Sequence, residues 1–279
     1  MRWLCPLILC VVGCGERNVS SANDDGPRIV SLSPAASIML RDAGLEPSIV
    51  GRHGWDMVLD QSLPVAGDQT GLDYERLISL EPTHVVIEWG SRDLPDRLVE
   101  LADSQAFRIV PIETLTLDDI EASDAAVRSA LNVPTERVTF DPAREPRAGW
   151  GSVLLVVATS PSVDCLGPGS AHHELLTRGG FTPALADGAP WITLGLEDAI
   201  RLDPDCIVLI QPKASPDTGE GAIGDRLGPL AQTNVAAVRS NRIVLIDDST
   251  ALIPSTNLAN IARDLWAKLD ALGPLPSPP

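Results

Sequence analysis

Four histidines, His53, His84, His172 and His173, are the side chains best suited to metal or acid–base chemistry in this chain. Several histidines and an acid converging on one ion make a zinc or manganese site. A single imidazole can instead give one ligand to a metal that a bound molecule carries. A simpler reading puts His172 and His173, solvated, in the first turn of a helix, and His84 at a strand start. No protein-bound metal and no cofactor is implied. Ser170 stands beside His172 and His173, but no G-x-S-x-G surrounds it. A base two residues along the same short turn has poor geometry for taking its proton. Gly219, Gly221 and Gly224 spell G-x-G-x-x-G, yet PKASPDT separates them from the preceding apolar strand. A dinucleotide fingerprint needs its turn directly after the strand. No carboxylates are spaced as an acid–base couple. The pattern points to binding rather than catalysis.

Six tryptophans accompany only three phenylalanines and one tyrosine. Trp55, Trp89 and Trp191 sit in or beside turns, where an aromatic ring can line a pocket. One such side chain offers about 150–250 Å² of surface, which suits a large flat ligand. Trp150 and Trp266 read as structural, and Trp3 lies in the N-terminal segment. Asp plus Glu total 38 against 21 for Lys plus Arg, a net charge of −17. That excludes a nucleic-acid backbone and electrostatic adhesion to anionic lipid. With 44% apolar residues in 279, the chain can bury a sizeable core in two modest lobes.

Residues 1–14, MRWLCPLILCVVGC, carry one arginine and a short apolar run. The run is too short to span a bilayer and reads as a secretory signal peptide. Its end, Val-Val-Gly-Cys, resembles a bacterial lipobox, with Cys14 as the lipid-bearing residue. The expected location is therefore outside the cytoplasm, on the bacterial membrane through a lipid anchor only. Residues 15–27 read as a flexible tether. Cys5 and Cys10 leave with the signal. Cys165 and Cys206 remain, expected apart as small buried hydrophobes.

The elements that position these residues alternate. RIVSL is a buried strand, and Ser33-Pro34 fits the start of a helix that stops at Gly44. Ile49-Val50 begins a strand, Asp73 caps a helix closed by Pro82, and Val85–Ile87 is the next strand. Val153–Val157 runs into Ser160-Pro161, a helix begins near Ser170, and strands follow at Ile207–Ile210 and Ile243–Ile246. Leu258–Leu272 is an amphipathic helix. YERLISLEP and LEDAIRLDP match, each with Glu seven residues before Pro: Glu75 to Pro82 and Glu197 to Pro204. The fold class is α/β: two lobes, each a mainly parallel sheet flanked by helices, with a cleft between them. The expected boundaries are 28–115 and 151–273 for the lobes, 116–150 for a connector and 274–279 for a Pro-rich tail. Ser33, Ser160, Trp89 and a 163–173 loop belong near the carboxyl ends of the strands, the ligand side. His53 is expected to face the cleft from lobe one, and His172 or His173 from lobe two.

RIVSLSPAASIMLRDAGLEPSIVG with LEPTHVVIEWG, and GPGSAHHELLTRGGF with WITLGLEDAIRLDPDCIVLI, resemble the lobes of solute-binding proteins of ABC importers for cobalamin and iron chelates. The resemblance implies a solute-binding lipoprotein, not an enzyme, that captures cobalamin or another corrinoid and delivers it to a membrane permease. It implies pocket positions at Trp55, Trp89 and Trp191, with a fourth falling on Gln69. Glu75 and Glu197 fall where family members dock on the permease, and a monomer is expected. An iron–siderophore or haem receptor is the alternative, with Arg52 and Arg92 as cleft-side cations and Tyr74 as the lone tyrosine. An exported enzyme or sensor on the same two-lobe fold is the reading from another class. One departure stands out. The family joins its lobes by one long helix, but Pro134, Pro142 and Pro146 forbid it here. Either the connector helix, within Thr116–Asn132, is short, or the lobes are held differently.

Overall fold

The computed structural model describes residues 26–68, 71–90, 92–134, 138–212 and 223–276. The signal segment with Cys14, nearly all of the tether, Gln69, Gly219 and Gly221 lie outside the described residues.

The first sheet holds β1 (Ile29–Ser31), β2 (Ile49–His53), β3 (Val65–Asp68), β4 (Gly71–Leu72), β5 (His84–Glu88) and β6 (Arg108–Ile112). Their order is β4-β3-β2-β1-β5-β6, parallel except for the short β3–β4 pair. The helices α1 (Pro34–Asp42), α2 (Tyr74–Ser79), α3 (Asp96–Gln105) and α4 (Leu117–Ala130) belong to this half. Local sequence explains where they start. Ser33 Oγ accepts from the Ala35 amide and Pro34 takes the first helical position of α1. Asp73 accepts from the Arg76 amide at 2.9 Å and caps α2. Thr116 and Asp119 exchange side-chain-to-backbone bonds at the head of α4, a capping box.

The second sheet runs β10-β8-β7-β11-β12, with β9 beside β7. It comprises β7 (Ser152–Ala158), β8 (Val163–Leu166), β9 (Thr182–Pro183), β10 (Trp191–Leu194), β11 (Cys206–Ile210) and β12 (Ile243–Ile246). Helices α5 (Ala171–Arg178), α6 (Leu196–Leu202), α7 (Ile223–Leu227), α8 (Ala236–Arg239) and α9 (Leu258–Leu272) accompany it. Strand alternation separates two apolar faces. Leu154, Val156, Ile207 and Leu209 pack in one cluster, while Val153, Leu155, Cys206 and Val208 pack in the other. Cys165 belongs to the first cluster and Cys206 to the second, so the two thiols stay free on opposite faces.

Two expectations need correction. Residues 163–166 are a strand rather than part of a loop, antiparallel to β7. Ser160-Pro161 therefore turns the chain into a hairpin, not into a helix as Ser33-Pro34 does. The physical reason is alternation: Val163 and Cys165 are fully buried and Asp164 is not, a strand pattern. The likeness of the halves holds for α2–β5 and α6–β11 and fails at this hairpin.

The connector is a short helix. α4 ends at Ala130, before Pro134, and residues 138–151 form neither helix nor strand: the Phe140 amide donates to Glu121 of α4 at 3.2 Å, and the chain then reaches the second half. The Arg144 amide donates to the Arg178 carbonyl at 2.7 Å, and the Arg147 amide to the Gly180 carbonyl at 2.8 Å. The two halves are also held directly. One continuous buried cluster includes Ile29 and Val86 of the first sheet, Leu117 and Ile120 of α4, and Val153 and Val208 of the second sheet. Polar ties cross the same seam. The Leu117 amide donates to Glu174 at 2.9 Å, and Thr256 Oγ1 donates to Asp42 at 2.6 Å. No helix among the described residues is long and apolar enough to cross a membrane.

Candidate functional site

A cavity of about 590 Å³ opens between the two sheets. From the first half it takes Glu88 at the end of β5, Gly90, Glu113 and Thr114 just after β6, and Asp119 in the first turn of α4. From the second half come Leu166 at the end of β8, Ser170, Ala171 and His172 at the head of α5, and Trp191. In the first half these positions follow the carboxyl ends of parallel strands, where such sheets leave room for ligands, whereas in the second Leu166 and Trp191 face each other on the antiparallel β8–β10 pair. A groove of about 360 Å³ shares Gly90, Glu113 and Asp119 with it and is bounded by Trp89 and Arg92. A smaller recess of about 120 Å³ joins His53, Asp68, Glu88 and Trp89.

Glu88 is held through both of its carboxylate oxygens. Ser33 Oγ donates to its Oε2 at 2.6 Å, and Thr114 Oγ1 donates to its Oε1. Ser33 thus caps α1 and orients a carboxylate with one hydroxyl. Sequence reading missed Glu88, Thr114 and Asp119. The available signal was a carboxylate at the end of a buried strand, immediately before Trp89.

The tryptophans are distributed. Trp191 lies on the edge strand β10 opposite Leu166, 53% exposed, and lines the cavity. Trp89 lines the adjoining groove. Its Nε1 donates to the Asp93 carbonyl at 3.0 Å, and the Arg92 guanidinium sits 4.7 Å over its ring. Trp55, 70% exposed, stands on the loop after β2 and does not line the cavity. That loop is pinned by Asp56, fully buried, which accepts from Ser37 Oγ at 2.5 Å and from the Val58 and Leu59 amides. Trp266 is buried and donates from Nε1 to the Leu175 carbonyl at 2.8 Å, as a structural residue does. Trp150 is likewise held, its Nε1 donating to the Leu269 carbonyl.

His53 is buried and accepts the Trp55 amide on Nδ1 at 3.2 Å, so its proton sits on Nε2. Burial lowers its pKa against the pull of Asp56, Asp68 and Glu88. The solvated reading is overturned for His172, while His173 is half-buried. His172 is buried, its Nε2 2.7 Å from the Ala251 carbonyl, and His173 Nε2 lies 3.0 Å from the Leu185 carbonyl. The reason is helical phase: Ala171, His172, Leu175 and Leu176 share the buried side of α5. A carbonyl only accepts, so each Nε2 carries the proton, and burial pushes the His172 pKa down. Arg52 is not a cleft cation. It is buried, and its guanidinium donates to the carbonyls of His53, Gly54 and Gln61. Burial pushes the Cys165 and Cys206 thiols up to about 12, which leaves neither a nucleophile. Glu75 and Glu197 are exposed in the first turns of α2 and α6.

Two mainly parallel sheets with helices on their faces and a cavity at their strand ends define the fold of two-lobed periplasmic binding proteins. The periplasmic heme-binding protein RhuT from Roseiflexus sp. RS-1 matches with a TM-score of 0.65, 21% identity, and 89% of this chain against 99% of that one. The periplasmic vitamin B12 binding protein BtuF of Vibrio cholerae matches with a TM-score of 0.63, 16% identity, and 88% against 97%. In sequence, the chain is similar to the vitamin B12-binding protein of Pectobacterium atrosepticum, 28% identical over 225 residues, 74% of this chain and 76% of the relative. It is also similar to that of Pectobacterium carotovorum, 24% identical over 230 residues, 77% and 78% of the two chains. These are members of the solute-binding family that the sequence resembles. No family model matches the chain.

Proposed function

We propose that this protein is an exported solute-binding lipoprotein, anchored through Cys14, that captures cobalamin or another corrinoid between its lobes and delivers it to an ABC-type importer. The observation that carries this reading is the interlobe cavity with Trp191 on its wall. Names of the sequence relatives favour a corrinoid. Trp55, Trp89, Trp191, Gln69 and His53 form the proposed ligand-contacting set, and the protein acts as a monomer without enzymatic activity. A haem or siderophore reading draws on solved neighbours named as heme-binding proteins.

Titration of the full chain in mild detergent with cyanocobalamin, haem and a ferric siderophore decides between them, read by tryptophan fluorescence and calorimetry. Saturable quenching by cyanocobalamin is the expected result. Flat titrations with all three ligands overturn the proposal.

Glu75 and Glu197 are the proposed docking points for a basic permease surface. Glu75→Ala with Glu197→Ala is expected to reduce uptake by about tenfold or more, as paired interface charges do, with ligand affinity unchanged. A loss of affinity instead assigns these carboxylates to the ligand site.

A further inference from the structure

The lining of the interlobe cavity narrows the ligand further, on the reading just proposed. It contains three carboxylates, Glu88, Glu113 and Asp119, and among the described residues no lysine or arginine. Arg92 stands in the adjoining groove, stacked over Trp89. The side-chain donors of the cavity are already committed. Thr114 Oγ1 donates to Glu88, Ser170 Oγ to the Gly167 carbonyl at 2.8 Å, and His172 Nε2 to the Ala251 carbonyl. The Trp191 indole N–H is the one further side-chain donor among the described lining residues.

The wall therefore offers acceptors and negative charge to whatever enters. Two hydroxyls fix the plane of Glu88, one on each oxygen, and each oxygen keeps a lone pair for another donor. Such a carboxylate attracts N–H groups, while a second carboxylate brought beside it is repelled and loses its hydration. We propose that this cavity selects ligands whose rim presents uncharged carboxamide or cationic nitrogen donors, with Glu88 as a specificity-determining acceptor, and rejects ligands presenting carboxylates there. A corrinoid with amide arms meets this requirement. A porphyrin carrying propionates does not.

The test compares cyanocobalamin with its monocarboxylic acids, in each of which one peripheral amide has been hydrolysed. Calorimetry on the full chain reads the affinities. At least one monoacid is expected to bind about tenfold or more weaker than cyanocobalamin, since like charges at a contact are costly. Glu88→Gln should bring that ratio to within about threefold, because the amide removes the charge and supplies a donor. Glu113→Gln is measured in parallel, and the ratio should respond less to it. If Glu88→Gln melts early, the parent protein's ratio decides alone. Equal binding of all the acids by the parent overturns the inference, as does a ratio untouched by Glu88→Gln in a folded protein. Either result leaves the corrinoid reading intact as long as cyanocobalamin binds. Saturable binding of haem with no corrinoid binding overturns both.

Discussion

On the proposed corrinoid reading, Trp191→Ala is expected to weaken binding by about thirtyfold, or about 2 kcal/mol, the scale set by aromatic anchors at binding surfaces. The same substitution leaves the melting temperature nearly unchanged. Both halves of this expectation come from one placement. Trp191 opens the edge strand β10 and remains 53% exposed, so the folded chain gains little from its ring. The same ring forms part of the wall of the interlobe cavity, where a flat ligand can cover it. Calorimetry with cyanocobalamin reads the first half, and a thermal melt reads the second. Unchanged affinity would put the ligand away from this wall. A large drop in melting temperature would make Trp191 a structural residue.

Trp266→Ala should do the reverse. Loss of this buried indole is expected to cost about 3–5 kcal/mol of folding stability, the range for large-to-small changes in packed cores. Its ring is 1% exposed. Its Nε1–H bond to the Leu175 carbonyl ties α9 to α5, and removal leaves that carbonyl with only the Gly179 amide that caps α5, 3.0 Å away. The Arg144 guanidinium caps the ring at 4.4 Å. Gly179 is also shaped by it: a Cβ there would lie 2.4 Å from Nε1 of Trp266. Urea unfolding measures the loss, and Trp266→Phe should recover part of it by refilling the space. A change below about 1 kcal/mol would show that this core tolerates the cavity, which packed interiors rarely do.

Much of this architecture was legible because local chemistry and long-range packing agree. Ser33-Pro34, Asp73 and Ser170 start helices where capping residues should, and Leu258–Leu272 keeps its apolar stripe from end to end. The helix α4 ends at Ala130, ahead of Pro134. The site was less legible. Glu88 and Thr114 lie 26 positions apart and meet only because β5 and β6 pair in parallel register. Nothing in either local sequence announces that hydroxyl–carboxylate contact. His172 and Arg52 were misjudged for a related reason. Polar residues are usually exposed, and both are buried here because carbonyls from distant turns or a neighbouring loop receive their protons. The hairpin at β8 escaped notice because a Ser-Pro pair opens a helix in one half and a turn in the other.

The apolar seam between the sheets has a mechanical consequence. Jaws that swing need an axis crossed by few side chains, whereas this chain threads one unbroken cluster from Ile29 through Ile120 to Val208. Prising the halves apart would wet members of that cluster, at about 1.5–3 kcal/mol for each large aliphatic side chain fully exposed. The two halves are thus expected to resist separation. The protein is expected to melt in one cooperative step, which calorimetry reads as a single transition.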